Sequence, residues 1–196
     1  MCIRDRCSGR QQRPHTGVQF VGRFQTEWGS TGSGDGQLDY PVGVAVDGSG
    51  NVYVTEIAND RIQVFDSSGV FQTEWGSTGI GDGQFSNPFG VSLDGSGNVY
   101  VVDAGNNRIQ MFDSSGVFQT KWGSTGTGDG QFSSPVGIAV DNMGNVYVTE
   151  QSNNRIQVFN SLASMPASSP SGIMIVTIAL IAAALFVCRR STLTRQ

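Results

Sequence analysis

The chain alternates short apolar runs with clusters of turn residues. Between Gly43 and Gly76 four segments have strand character: Gly43–Asp47 (GVAVD), Asn51–Glu56 (NVYVTE), Arg61–Phe65 (RIQVF) and Val70–Gly76 (VFQTEWG). The residues between them are turn formers: Gly48, Ser49 and Gly50, then Asn59 and Asp60, then Asp66 to Gly69. Such residues supply turn conformations and local side-chain-to-backbone hydrogen bonds. In the second segment Val52, Tyr53 and Val54 are apolar in succession, so both of its faces must be covered. In the fourth, Phe71, Thr73 and Trp75 alternate with Gln72 and Glu74, the pattern of a half-solvated outer strand. No stretch of this region has an apolar period of 3.6 residues, and no helix is predicted in it.

The whole pattern recurs. Trp28, Trp75 and Trp122 are 47 residues apart, and Pro41, Pro88 and Pro135 keep the same step, as do Arg61, Arg108 and Arg155. Residues 28–74 match residues 75–121 at 33 of 47 positions. A period of this size indicates a solenoid, a propeller or an array. Four short antiparallel strands per repeat, stacked face to face, predict β-propeller blades. Glycine-rich segments such as Gly29–Gln37 (GSTGSGDGQ) would connect one blade to the next.

Three runs carry a family resemblance: Gly83–Asp94 (GQFSNPFGVSLD), Gly97–Asp103 (GNVYVVD) and Asn106–Phe112 (NNRIQMF), with equivalents in the other copies. The sequence resembles the NHL repeat over about residues 22–160. The WD dipeptide and the double-glycine pattern of kelch blades are missing. The resemblance implies an all-β fold, a β-propeller of NHL type, whose closed forms have about six blades. Three four-stranded blades are expected here, so the arc is partial and open. If each bare end face exposes about four large apolar side chains, at about 1.5–3 kcal/mol each, about 6–12 kcal/mol is forfeited. A whole domain is stable by only about 5–15 kcal/mol. The arc is therefore expected either to be a fragment of a longer protein or to close by self-association with another copy.

Charge sharpens this picture. The 196 residues include 27 glycines, 14% are charged, and the net charge is −4. That composition does not suit a helical bundle. The net charge is an average over unlike parts: residues 1–19 carry +3, residues 20–160 carry five Lys/Arg against fifteen Asp/Glu (−10), and residues 161–196 carry +3. The resemblance implies that some NHL propellers bind RNA through a basic face. An acidic arc does not neutralise phosphates, so no nucleic-acid partner is expected. Cys2, Cys7 and Cys188 are too few and too scattered for a disulfide scaffold or a zinc module.

The two ends differ from the repeats. Residues 1–19 are aperiodic and Arg-rich and lack a secretory apolar core. MCIRDR resembles a translated sequencing adapter, so this segment is expected to be artefactual or disordered, which removes Cys2, Cys7 and His15 from functional consideration. Residues 161–172 (SLASMPASSPSG) form a Ser/Pro/Ala linker. Residues 173–188 are almost wholly apolar from Ile173 to Val187, long enough for a short spanning helix. Arg189 and Arg190 follow, so the positive-inside rule places residues 189–196 in the cytoplasm and the repeats on the extracytoplasmic side. The layout of linker, apolar span and Arg pair resembles a prokaryotic sorting signal of the PEP-CTERM or archaeosortase kind, although no PEP, PGF or LPXTG motif is present. A single-pass membrane anchor is the simpler expectation.

Candidate chemistry is sparse. Some NHL-type propellers are lyases that use histidines, but the one histidine, His15, lies outside the repeats, so none of their residues can be carried over. No nucleophile has a base near it in a motif. Asp47, Ser49 and Asn51 open like an EF-hand loop, yet the sixth and twelfth positions hold Val52 and Ala58 instead of Gly and Glu. Asp47, Asp94 and Asp141 are therefore expected to organise turns. The glycine loops lack a following Gly-Lys-Ser/Thr and carry Asp35, Asp82 and Asp129, which would repel phosphate. Glu56 with Arg61, Asp103 with Arg108 and Glu150 with Arg155 suggest ion pairs within hairpins, or else a ligand-binding ring at a channel mouth.

These readings lead to a membrane-anchored, extracytoplasmic, non-enzymatic propeller module that binds protein, peptide or glycan and needs no cofactor or metal. The alternative is a fragment of an extracellular lyase or hydrolase whose catalytic residues lie in missing amino-terminal blades.

Overall fold

The structure is a computed structural model that describes residues 22–160. Residues 1–19 with Cys2, Cys7 and His15, the linker 161–172, the apolar run from Ile173 to Val187, and Arg189 and Arg190 all lie outside the described residues. Among the described residues no helix is long and apolar enough to cross a membrane.

Eleven strands form three antiparallel sheets. The first blade contains β1 (Pro41–Val46), β2 (Val52–Glu56), β3 (Arg61–Phe65) and β4 (Phe71–Trp75) in that order. The second contains β5 (Pro88–Leu93), β6 (Val99–Asp103), β7 (Arg108–Phe112) and β8 (Phe118–Trp122). The third contains β9 (Pro135–Val140), β10 (Val146–Glu150) and β11 (Arg155–Phe159). Its fourth-strand position, one step of 47 after β8, falls beyond Asn160 and so outside the described residues. A single 3₁₀ turn, Ala104–Asn106, sits between β6 and β7.

The strands begin and end within two residues of the sequence expectations. Each first strand opens on a proline (Pro41, Pro88 or Pro135), and the ladder slips just after it. Proline has no N–H for the ladder and is tolerated where a strand begins. The outer strands β4 and β8 are exposed at all three middle residues, so Thr73 and Thr120 are exposed too, more than the alternating pattern predicts. β6, in the central blade, is buried at every residue, whereas β10 is buried only at alternate residues. Among the described residues one face of β10 has a blade against it and the other has none.

The core is two inter-blade layers. Tyr53, Ile62 and Val64 of the first blade pack on Phe85, Val91, Val99, Val101 and Phe112 of the second. Tyr100, Val102 and Ile109 repeat the arrangement against Phe132, Val146 and Val148 of the third. Each tryptophan spans a junction. Trp75 stands edge-on to Tyr53 in its own blade, with centroids 6.2 Å apart, and tilts on Phe112 of the next at 5.9 Å. Trp122 does the same with Tyr100 and Phe159, and Trp28 leans on Phe65 at 6.3 Å. Gly116 (φ +82°) fits this packing because a Cβ there would come within 2.7 Å of the Trp75 ring.

Candidate functional site

Antiparallel succession sorts the loops. The β2–β3 turn and the glycine-rich connections between blades lie at one end of the arc, which forms a rim. The β1–β2 and β3–β4 turns lie at the other.

At the rim each blade buries one carboxylate in a fixed set of donors. Glu56 is fully buried; its Oε1 accepts from Arg61 Nε at 2.7 Å and Gln63 Nε2 at 2.8 Å. Its Oε2 accepts from the Asp39 amide at 2.8 Å and Asn59 Nδ2 at 2.7 Å. Asp103 takes the same partners one step on: Arg108 Nε at 2.6 Å, Gln110 Nε2 at 3.1 Å, the Ser86 amide at 2.8 Å, and Asn106. Glu150 takes Arg155 Nε at 2.6 Å, Gln157, the Ser133 amide and Asn153. For Glu150, burial pushes the carboxyl up, but the bonds from Arg155, Ser133, Gln157 and Asn153 outweigh it and hold the carboxyl below its ordinary value.

The arginine then ties down the connecting loop. Arg108 donates to the carbonyls of Ile80 (2.7 Å), Gly81 (2.7 Å) and Gln84 (2.9 Å). Arg61 holds Ser33, Gly34 and Gln37 in the same way, and Arg155 holds Thr127, Gly128 and Gln131. A planar guanidinium with fixed donors suits this fork of acceptors. These acids and arginines spend their hydrogen-bonding capacity on the scaffold and so order the rim.

At the opposite end, Asp47, Asp94 and Asp141 cap the first turn of each blade. The Asp94 Oδ1 accepts from the Ser96 and Asn98 amides at 2.8 and 2.9 Å, and its Oδ2 accepts from Asn98 Nδ2 at 2.7 Å. Burial alone would raise the Asp94 carboxyl, but these bonds, with one from the Tyr100 hydroxyl, bring it below its ordinary value. Tyr100 responds in the opposite sense. Burial, the Asp94 charge and the bond to it push its hydroxyl up to about 12. Asp47 is lowered against its burial by the same kind of bonds, and Asp141 is lowered chiefly by Asn145. Among the described residues no group of three His, Cys, Asp or Glu side chains could hold a metal ion.

Sequence reasoning singled out the acid and the arginine but missed Asn59, Gln63 and their equivalents, although the 47-residue step marks these as plainly as the arginines. It also missed a bond between blades. Asp60 accepts the Thr78 hydroxyl and the Asn87 amide, both at 2.8 Å, and Asn107 accepts the Ser134 amide at 3.0 Å while its own amide reaches Thr125 at 3.2 Å.

The two ends differ in how alike the blades are. The turns Asp47–Asn51 and Asp66–Val70 reappear unchanged as Asp94–Asn98 and Asp113–Val117, whereas the third blade's Asp141–Asn145 carries Asn142 and Met143 in place of Gly and Ser. On the rim, three exposed positions change in every blade: Ser33, Ile80 and Thr127; Tyr40, Asn87 and Ser134; Ala58, Gly105 and Ser152. Exposed Asp35, Asp82 and Asp129 recur beside them. At the opposite end the third blade keeps only Asp141, Gly144 and Asn145 of the shared turn, and the rim combines a constant acidic frame with side chains that differ from blade to blade.

The NHL repeat model matches residues 38–65, 85–112 and 132–159, the span of the first three strands of each blade together with the acid–arginine pair. The chain carries three NHL repeats. Protein lin-41 of Caenorhabditis elegans is 40% identical over 60 residues, 31% of this chain and 5% of lin-41. The hydrazine synthase of Kuenenia stuttgartiensis superposes with a TM-score of 0.51 at 14% identity, over 71% of this chain and 36% of that one. A protein of unknown function from Bacteroides thetaiotaomicron superposes with a TM-score of 0.50 at 18% identity, over 57% of this chain and 32% of that one. These likenesses concern the fold, and the chain spans well under half of each relative. Within the NHL blades the three acid–arginine pairs occupy equivalent places, which makes the rim a repeated surface.

Proposed function

We propose that this chain is a non-enzymatic NHL-repeat binding module, anchored by residues 173–188 and displayed on the extracytoplasmic side, and that it binds its ligand on the rim. The contrast within the rim supports this most directly. The buried acid and the asparagine, arginine and glutamine around it recur in every blade, whereas the exposed residues at three rim positions per blade differ. The exposed acids and the net charge of −10 over residues 20–160 favour a cationic segment of protein or peptide. Ile80, 80% exposed, supplies an apolar contact among them. The apolar run followed by Arg189 and Arg190 supports the anchored topology.

Two measurements test the reading. On an array of peptides and glycans, the full chain should retain basic peptides, and both Ile80→Asp and the combined Asp35→Asn, Asp82→Asn and Asp129→Asn changes should abolish retention without lowering the melting temperature. Retention that survives these changes would move the site off the rim. Protease added to intact cells should remove the repeats and spare the tail; a protected repeat region would reverse the topology.

A further inference from the structure

One rim position reverses its charge between blades. Glu27 and Glu74 stand in identical segments, FQTEW, whereas the second blade reads FQTKW and carries Lys121 there. Lys121 is the one lysine among the 196 residues. The exchange re-routes the local ion pairs. In the first blade Glu74 Oε2 accepts from Arg61 Nη1 at 2.5 Å, which ties the outer strand to the buried arginine. A lysine cannot face Arg108 in this way, because both are cations. Lys121 turns to the connecting loop instead, and its Nζ donates to Asp82 Oδ1 at 2.5 Å. Both members belong to the second blade and the connection that leads into it, so the pair does not depend on what adjoins the arc at either end.

The consequence is electrostatic. Asp35, Asp82 and Asp129 occupy one repeated position, and all three are exposed. Asp82 is matched by a cation in contact with it, whereas Asp35 and Asp129 form no ion pair among the described residues. Arg61, Arg108 and Arg155 are committed to the buried carboxylates. The Lys121 and Asp82 side chains are 43% and 55% exposed. Solvent screens so exposed a pair, and it adds little to stability. What it changes is the charge that the second blade presents. The same connection carries Ile80, where the other two have Ser33 and Thr127. Blade order then sets a pattern along the rim: an unpaired acid on the first blade, an apolar side chain beside a neutralised acid on the second, and an unpaired acid on the third.

We propose that Lys121 sets which ligand the rim accepts. By neutralising Asp82 it leaves an apolar middle between two anionic positions, and the peptide that fits carries an apolar residue flanked by two basic ones. This rests on the rim being the ligand surface. Stacked sheets lie about 10 Å apart, so Asp35 and Asp129, two blades apart, are separated by about 20 Å or more. An extended chain advances about 3.3 Å per residue, which puts the two basic residues at least about six positions apart.

The test uses the full chain in mild detergent at low salt, with fluorescent peptides of the form Arg-(Gly)n-Leu-(Gly)n-Arg, n from two to five. Fluorescence anisotropy should show tighter binding of these than of peptides with the leucine moved to one end. A third peptide series has arginine in place of the central leucine. A unit charge about 4 Å from a cation in water changes affinity about fivefold. Lys121→Gln uncovers the Asp82 charge and should tighten binding of the central-arginine series about fivefold, an effect that high salt removes. Asp82→Asn, which leaves Lys121 unmatched, should weaken the same series, and adding Lys121→Gln should cancel that loss. Because Lys121 is the one lysine, amine acetylation of the parent chain should reproduce the Lys121→Gln result, and acetylation of the Lys121→Arg chain should not. Equal affinity for every arrangement, or a central-arginine series indifferent to Lys121→Gln and to acetylation, would overturn the proposal and leave the rim as the binding surface. Binding that ignores Ile80→Asp and the three aspartate changes, or no binding of any basic peptide, would overturn the rim reading and this proposal with it.

Discussion

Arg108→Ala tests how the rim is held. The Arg108 side chain is 8% exposed and its partner Asp103 is fully buried. The substitution removes four hydrogen bonds: one to the carboxylate, and one each to the carbonyls of Ile80, Gly81 and Gln84. Asp103 keeps its amide and side-chain donors but loses its only opposite charge among the described residues. Breaking a buried pair by removing one partner costs about 3–5 kcal/mol. For a unit of this size, each kcal/mol lowers Tm by about 2–4 °C, so a fall of about 6–20 °C is expected. Arg155 makes the same bonds with its side chain 27% exposed, and solvent screening should reduce the loss there to roughly half. Urea unfolding of the full chain, followed by fluorescence of Trp75 and Trp122 at the blade junctions, measures both. Adding Asp103→Asn to the Arg108→Ala chain should recover part of the loss, because the orphaned charge is then gone. A melt of Arg108→Ala within about 1 °C of the parent, or equal losses at Arg108 and Arg155, would refute the assignment of the pair to the scaffold.

Other outcomes follow from the same structure. Gly116→Ala should lower stability by at least about 1 kcal/mol, read in the same urea assay, because its φ of +82° and the Trp75 ring 2.7 Å from the new Cβ both oppose a side chain. Asp94, Asp141 and Glu150 have carboxyls lowered in the fold, so their contribution to stability is fully present above the unfolded values of about 4 and is lost as pH falls through the lower folded values. Melting temperature should hold from pH 7 to about 5 and fall below about 4, and Asp94→Asn with Asp141→Asn should flatten that fall. Ile80→Asp changes an exposed loop residue and should shift the melt by less than about 0.5 kcal/mol.

Strand positions, the blade repeat and the acid–arginine pairs were legible because each rests on local chemistry or on period. An apolar strand bounded by Gly, Asn and Asp has few alternative conformations, and a residue that returns every 47 positions in the same company marks a repeated place in the fold. Asn59, Gln63 and their counterparts carried the same signal, but nothing in the sequence says that one carboxylate gathers an asparagine, an arginine, a glutamine and a distant amide. That convergence belongs to three strands and a loop brought together.

By itself, the sequence determined that this protein builds four-stranded blades and that an acidic arc separates two basic ends. Only the tertiary structure decided which loops share the rim, because the sorting of loops depends on strand direction. It also distinguished identical residues. Ile109 and Ile156 sit in the same motif, yet one is sealed between blades and the other is exposed, since burial is a property of neighbours and among the described residues the third blade has a neighbour on one side only.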